Sequence, residues 1–220
     1  MSQRGIVRFS GTERVVHLLY LVCFLTLAGT GVIFYLPQLG IYAGGEVGLL
    51  NRLIHRVAAV VLMACPLLYL VFDLRGFATS VGRSFSWGRA DAGWFAHGLA
   101  YYWTGSREGI PPQDKFNTGQ KLHAVLQVLC FGVFAATGLI VWAWGPGLAP
   151  STFILNLILH DIAFVVSMGG FLIHVYLVLA HPLTRPHINA MVDGRISDED
   201  ARELYPLWYA RVRGASARGK

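Results

Sequence analysis

The sequence predicts an all-α integral membrane protein, a bundle of four transmembrane helices with both termini on the cytoplasmic side. Three observations predict it. Hydrophobic residues make up 55% of the chain and charged residues 14%, which is outside the composition of ordinary soluble domains. The apolar residues gather into four stretches, about 15–36, 53–72, 122–144 and 153–180. Each can span roughly 30 Å of hydrocarbon as a helix, and the last has residues to spare for tilt. The third observation is where positive charge falls.

The first stretch is too long for a signal-peptide core and no small-residue cleavage site follows it, so it is expected to remain in the mature protein. Basic residues cluster before it (Arg4, Arg8, Arg14), between the second and third stretches (Arg75, Arg83, Arg89, Arg107, Lys115, Lys121) and after the fourth (Arg185, Arg195, Arg202, Arg211, Arg213, Arg218, Lys220). The short connections 37–51 and 145–152 hold none. Positive charge stays on the cytoplasmic side, so the termini and the long middle segment are assigned there. The net charge of +6 therefore follows the bilayer and implies membrane lipid, not nucleic acid, as its partner. The expected location is a bacterial inner membrane.

We read residues 1–220 as a single domain, with no internal repeat and no low-complexity segment. The cytoplasmic loop 73–116 is too long for a bare connection and is expected to carry its own structure. Within it, Trp94, Phe95, Leu99, Tyr101, Tyr102 and Trp103 suit the membrane interface. The glycines and prolines of 105–112 end any helix. In the tail 181–220, Ser197 before Asp198-Glu199-Asp200 is expected to cap a helix. That helix is expected to continue through Tyr205-Pro206-Leu207-Trp208-Tyr209 as a docking surface. Cys23, Cys65 and Cys130 all fall in apolar stretches without a CxxC pattern. That excludes an iron–sulfur cluster, a zinc site and covalent haem attachment, and leaves packing.

Four histidines lie within or at the ends of the apolar stretches: His17, His55, His160 and His174. Ionisable groups are costly in hydrocarbon and mark functional sites there. Fourteen residues separate His160 from His174. On a helix that is roughly 21 Å of rise and a return to within roughly 40° of the same face. With a cytoplasmic N-terminus, His17 lies near the cytoplasm and His55 near the periplasm; the fourth helix carries His160 outward and His174 inward. Depth therefore pairs His55 with His160 and His17 with His174. Two bis-imidazole sites suit two b-type haems whose closed coordination serves electron transfer. The alternative is four buried histidines bonded across helices. Gly29, Gly31, Gly132, Gly138, Gly169 and Gly170 would let helices or a macrocycle approach closely, although small residues also pack helices without a cofactor. His97 reads as solvated or interfacial, and His181 and His187 as surface residues. His123, at the cytoplasmic start of the third helix, reads as interfacial, with a proton path as the alternative.

Several segments together carry a family likeness: Arg14-Val15-Val16-His17, Leu53-Ile54-His55, Lys115-Phe116-Asn117-Thr118-Gly119-Gln120-Lys121, Leu159-His160 and Ile173-His174-Val175-Tyr176. Met191 to Ser197 and Pro206-Leu207-Trp208-Tyr209 extend it into the tail. Over nearly its whole length the chain resembles the cytochrome b (gamma) subunits of membrane-bound respiratory formate dehydrogenases. The resemblance implies a partner subunit with a molybdenum or tungsten cofactor that oxidises formate, and an iron–sulfur subunit that passes electrons on. It implies electron flow from the haem at His55 and His160, through the haem at His17 and His174, to menaquinone or ubiquinone. The chain itself would not act on formate, and the complex could assemble into a higher oligomer.

The same resemblance implies that Asn117, Gly119, Gln120 and His174 contribute to the quinone pocket; His123 stands where an apolar residue is expected and takes no role from it. The chemistry is compatible, since amides offer donors to quinone carbonyls, glycine allows close approach and a helix start favours developing negative charge. The competing reading of Asn117 and Gln120 is an ordinary helix cap, with Lys121 as an interface anchor. Two rival functions remain. One is the dihaem cytochrome b of a nickel–iron hydrogenase or another quinone-linked oxidoreductase. The other is a haem-free anchor or transporter subunit.

Overall fold

The computed structural model describes residues 5–184 and 186–218, without the side chains at 186, 187 and 216–218. Nine α-helices lie among the described residues. They are α1 (Gly11–Tyr35), α2 (Gly45–Phe72), α3 (Leu74–Ser84), α4 (Arg89–Thr104), α5 (Thr118–Trp144), α6 (Pro150–Leu179), α7 (Pro186–Val192), α8 (Asp198–Leu204) and α9 (Pro206–Arg218). The four long ones, α1, α2, α5 and α6, carry the four predicted spans. Between 11% and 22% of the most apolar window of each is buried inside the chain. The rest of that surface has lipid as its natural solvent, and the protein is a multi-pass membrane protein.

Helix α2 starts at Gly45, ahead of the apolar edge at Leu53. Hydropathy marks where side chains prefer lipid, whereas backbone hydrogen bonding carries the helix on through Glu46, Asn51 and Arg52. The loop 73–116 has the structure expected of it. Helix α4 ends where Gly105 adopts a left-handed backbone with φ 76°, a conformation that favours glycine. Its large apolar residues divide between buried and exposed, Trp94 and Tyr101 being buried while Leu99 and Trp103 are 85% and 91% exposed. That split suits a helix lying at a membrane surface.

The chain forms two compact units. Unit 1 comprises Met1–Arg14, Arg75–Val125 and Leu172–Lys220; unit 2 comprises Val15–Leu74 and Leu126–Phe171. In unit 1, strands β1 (Ile6–Val7) and β2 (Arg195–Ile196) pair antiparallel, with Ile6 opposite Ile196. They cover a core of Ala190, Ile196, Ala201, Tyr205 and Trp208, against which Phe9, Leu204 and Val212 pack. Ser197 caps α8 as expected, accepting from Asp200 N–H. The helix does not continue. Proline disfavours helical backbone in the residue before it, and Tyr205 breaks away at φ −137°, ψ 54° before α9 begins. The expected docking surface is also corrected: Tyr205 is 0% and Trp208 5% exposed. Those rings form the core of the tail.

Among the described residues of unit 1, two ion pairs are buried. Lys115 meets Glu13 at 3.0 Å and Lys121 meets Asp91 at 2.9 Å. Lys121 is thus a structural cation and not an interface anchor. Burial alone would raise the Asp91 carboxyl. Hydrogen bonds from Lys121, Thr118 and the Gly88 N–H outweigh burial and hold it below the usual carboxylate range.

Unit 2 overturns the expectation of no internal repeat. Cys23-Phe24-x3-Ala28-x-Thr30-Gly31-x-Ile33 on α1 returns as Cys130-Phe131-x3-Ala135-x-Thr137-Gly138-x-Ile140 on α5. The run Asn51-x3-His55-x2-Ala58-x-Val60-Val61-x-Met63 on α2 returns as Asn156-x3-His160-x2-Ala163-x-Val165-Val166-x-Met168 on α6. Burial repeats as well, with Cys23, Thr30 and Ala58 buried in one pair of helices and Cys130, Thr137 and Ala163 in the other. The repeat hides among interchangeable lipid-facing residues, and the matched positions become visible through what they contact.

Candidate functional site

Unit 2 brings His55 and His160 together. Their ring centroids are 6.4 Å apart and the planes are inclined by 48°. The two rings share a cavity of about 480 Å³ whose lining is mainly apolar and includes Phe34, Phe134, Trp142 and Phe164. That size is within the range of sites that hold small organic ligands, roughly 300–1,000 Å³. Each imidazole is supported in the same way by the first helix of its repeat. His55 Nδ1 is 2.8 Å from Thr30 Oγ1, and His160 Nδ1 is 2.8 Å from Thr137 Oγ1. Glycine follows each threonine, and a Cβ there would lie 3.7 Å from His55 Cε1 at Gly31 and 3.8 Å from His160 Cε1 at Gly138. Gly29, Gly132 and Gly169 have open space around them and play no comparable part. Arg52 and Arg56 also line the cavity, and guanidinium groups there are suited to the carboxylates of a ligand.

Unit 1 gathers the residues assigned to a quinone. Asn117, Gly119, Gln120 and His174 line one small cavity of about 80 Å³ together with Tyr102, His123 and Thr184. Asn117 and Gln120 also form a reciprocal cap at the start of α5. Gln120 N–H donates to Asn117 Oδ1 at 2.8 Å, and Asn117 N–H donates to Gln120 Oε1 at 3.0 Å. This is the capping-box arrangement. Gln120 Nε2 donates to Tyr205 Oη at 3.3 Å. At Gly119 a Cβ would come within 2.8 Å of Tyr102 Oη, so any larger residue there has to displace the Tyr102 hydroxyl. Burial pushes the Tyr102 hydroxyl well above its ordinary pKa, despite a hydrogen bond with Asn117. Tyr102 therefore stays neutral.

His123 is corrected from a plain interfacial residue to part of this cavity: its ring stacks on His174 at 4.6 Å between centroids and 8° between planes. His181 is corrected from surface to buried, at 5% exposure. Its Nε2 donates to the Tyr102 carbonyl at 2.9 Å, between the edges of Tyr102 and Tyr176. Proline at 182 had suggested a surface turn, but the turn packs inward. His97 is exposed as expected, and the side chain of His187 lies outside the described residues. His17 belongs to unit 2 and His174 to unit 1, so their pairing rests on their depth along the sequence. Thr30, Thr137 and Tyr102 are the site residues that sequence reading missed. The recurring Thr-Gly dipeptide was the available signal for the first two.

A profile of the prokaryotic cytochrome b561 family matches residues 8–194. The chain belongs to that family. Its relatives include the cytochrome b556(Fdn) subunit of the nitrate-inducible formate dehydrogenase of Escherichia coli K12, 22% identical over 99% of this chain and 96% of the relative. The formate dehydrogenase cytochrome b556(fdo) subunit of the same organism is 24% identical over 94% of this chain and 93% of its own length. The formate dehydrogenase cytochrome b556 subunit of Haemophilus influenzae is 22% identical over 93% and 82%. The resemblance drawn from the histidines and the Asn-Thr-Gly-Gln-Lys segment is borne out.

Membership of a cytochrome b561 family implies a b-type haem, and the residues of unit 2 fit one. A metal lies roughly 2 Å from an imidazole nitrogen that binds it, and His55 and His160, with ring centroids 6.4 Å apart across one apolar cavity, are the residues that would hold the iron. Among the described residues no group of three or more His, Cys, Asp or Glu could hold a bare metal ion. A haem asks only for axial ligands, because the porphyrin supplies the rest.

Proposed function

We propose that this chain is the dihaem membrane subunit of a formate dehydrogenase, and that it carries the quinone-reducing half of the reaction. The observation that carries the reading is the facing pair His55 and His160 across one apolar cavity, 6.4 Å apart. His17 and His174, matched in depth, hold the second iron. When bound, the haems supply one-electron centres that connect an iron–sulfur subunit on the periplasmic side to a quinone near the cytoplasm. The protein supplies everything else. The imidazoles would hold each iron, the apolar lining would exclude water, and Arg52 and Arg56, which line the cavity, would suit the carboxylates of a haem.

At the cytoplasmic end, Asn117, Gly119, Gln120 and His174 form the quinone site, joined by Tyr102 and His123. The support for this is their convergence on one cavity. At about 80 Å³ it holds less than the roughly 300 Å³ of a typical ligand site, so it receives only the carbonyl end of a quinone whose body lies in lipid. Tyr102 offers a neutral hydroxyl. His123 relays protons from the cytoplasm to reduced quinone, so formate oxidation outside contributes to a proton gradient. Partner identity follows the relatives, which are named as formate dehydrogenase subunits.

Purification in mild detergent tests the reading directly. A molybdenum- or tungsten-containing subunit and an iron–sulfur subunit should co-purify, and formate should reduce the b bands of the visible spectrum. Co-purification of a nickel–iron hydrogenase would reassign the electron donor. The absence of sharp reduced-minus-oxidised bands would remove the haems altogether.

A further inference from the structure

Thr30 and Thr137 each hold a single hydroxyl proton among three candidate acceptors, the third being a more distant carbonyl of the same helix, Leu27 at 3.2 Å for Thr30 and Phe134 at 3.4 Å for Thr137. Thr30 Oγ1 lies 2.7 Å from the Thr26 carbonyl oxygen and 2.8 Å from His55 Nδ1. Thr137 Oγ1 lies 2.7 Å from the Val133 carbonyl oxygen and 2.8 Å from His160 Nδ1. A carbonyl oxygen has no proton. At 2.7 Å from a hydroxyl oxygen it is held only if the hydroxyl proton lies between them. The threonine proton is therefore committed to its own helix, the back-bonded arrangement common for threonine in membrane helices. Its oxygen then has only lone pairs to offer the imidazole.

The histidine must supply the proton of that second bond. A neutral imidazole carries one N–H, and here it is Nδ1–H, donated to threonine. Nε2 is left as a lone pair. The reverse assignment would set two oxygens against each other at 2.7 Å and put an Nε2–H into an apolar cavity. Among the described residues, the threonine bond is the hydrogen bond each of these rings makes. Both halves of the repeat reach this arrangement independently, on threonines that are 8% and 4% exposed.

We infer that Thr30 and Thr137 are positioning residues for the haem ligands, locking His55 and His160 in the Nδ1–H tautomer so that both Nε2 lone pairs face one iron. This rests on the proposal that His55 and His160 share a haem. A ligating histidine whose other N–H is accepted by an oxygen is the more basic ligand. The two threonines should thus favour ferric over ferrous iron at that haem and leave the other haem untouched. The glycine after each threonine keeps the adjacent face clear.

The test uses the full complex, with Thr30→Val, Thr137→Val and the two Thr→Ser variants. Valine keeps the shape and removes the oxygen, and serine restores it. Redox titration of the b bands and low-temperature EPR of the ferric haems are the readouts. Each valine variant should raise the midpoint potential and shift the EPR signal of one and the same haem component. The double variant should shift it further, and the serine variants should return it to the wild-type position. If a valine variant loses that haem, retention at the wild-type potential in the serine variant supports the inference, and equal loss with serine overturns it. Unchanged potential and EPR in both valine variants also overturn it, leaving the threonines as back-bonded packing. His55→Ala separates the two levels. If it retains both haems, the underlying haem assignment fails. If it loses one while the valine variants behave as wild type, only the threonine role fails.

Discussion

An imidazole reaches only the iron beside it, so single substitutions should sort by depth. His55→Ala and His160→Ala should each abolish the same spectral component. His17→Ala and His174→Ala should abolish the other. Redox titration of the four variants reads this, and loss of one component by both His17 and His55 variants would break the pairing. Asp91 carries a second residue-scale prediction. Asp91→Asn leaves Lys121 buried without its counter-charge, a change that costs about 3–5 kcal/mol in comparable buried pairs. A large drop in melting temperature in detergent is expected. The Asp91 carboxyl is held below its ordinary range, so the unfolded state binds its proton first as pH falls. Its contribution is full above the unfolded pKa of roughly 4 and is lost as pH falls through the lower folded value. Thermal melts from pH 7 to pH 3 should therefore separate wild type from Asp91→Asn less and less.

Helix α5 opens on a device with two uses. Asn117 and Gln120 close a reciprocal cap and also line the cavity assigned to quinone. A test must keep one use while removing the other. Gln120→Glu retains the acceptor oxygen that the cap needs and removes the amide donor. Its melting temperature should stay near wild type, while quinone affinity falls by up to about a hundredfold, the equivalent of a lost hydrogen bond of roughly 1–3 kcal/mol. Haem reduction by formate should survive, so the haems accumulate reduced during turnover. Asn117→Ala should instead cost about 1 kcal/mol of stability through the lost cap. A normal quinone reductase rate in Gln120→Glu would leave this element as a cap alone. From sequence the cap and the quinone contact were competing readings, because both need the same amides at the same spacing.

For the whole molecule, the reading requires about two non-covalent haems per polypeptide. Acid–acetone extraction should release all of it, and a pyridine haemochrome assay should count it. A value near one would leave one histidine pair without iron. The proposed cytoplasmic placement of both termini and the loop 73–116 predicts that cysteine probes placed in these segments react only from the cytoplasmic side. Labelling of intact cells by a membrane-impermeant reagent would reverse the topology.

Composition and the spacing of charge were enough for the four spans and their number, because lipid selects side chains one at a time and each span is a local property of the chain. The four intramembrane histidines and the helix cap at Ser197 were legible for the same reason. What depended on which helix lies beside which was not. The Thr30–His55 and Thr137–His160 bonds join residues on different helices. The stacking of His123 on His174 and the burial of Tyr205 and His181 likewise arise from packing. Periodicity describes one helix against its solvent, and only tertiary structure decides which oxygen accepts the proton of a buried imidazole.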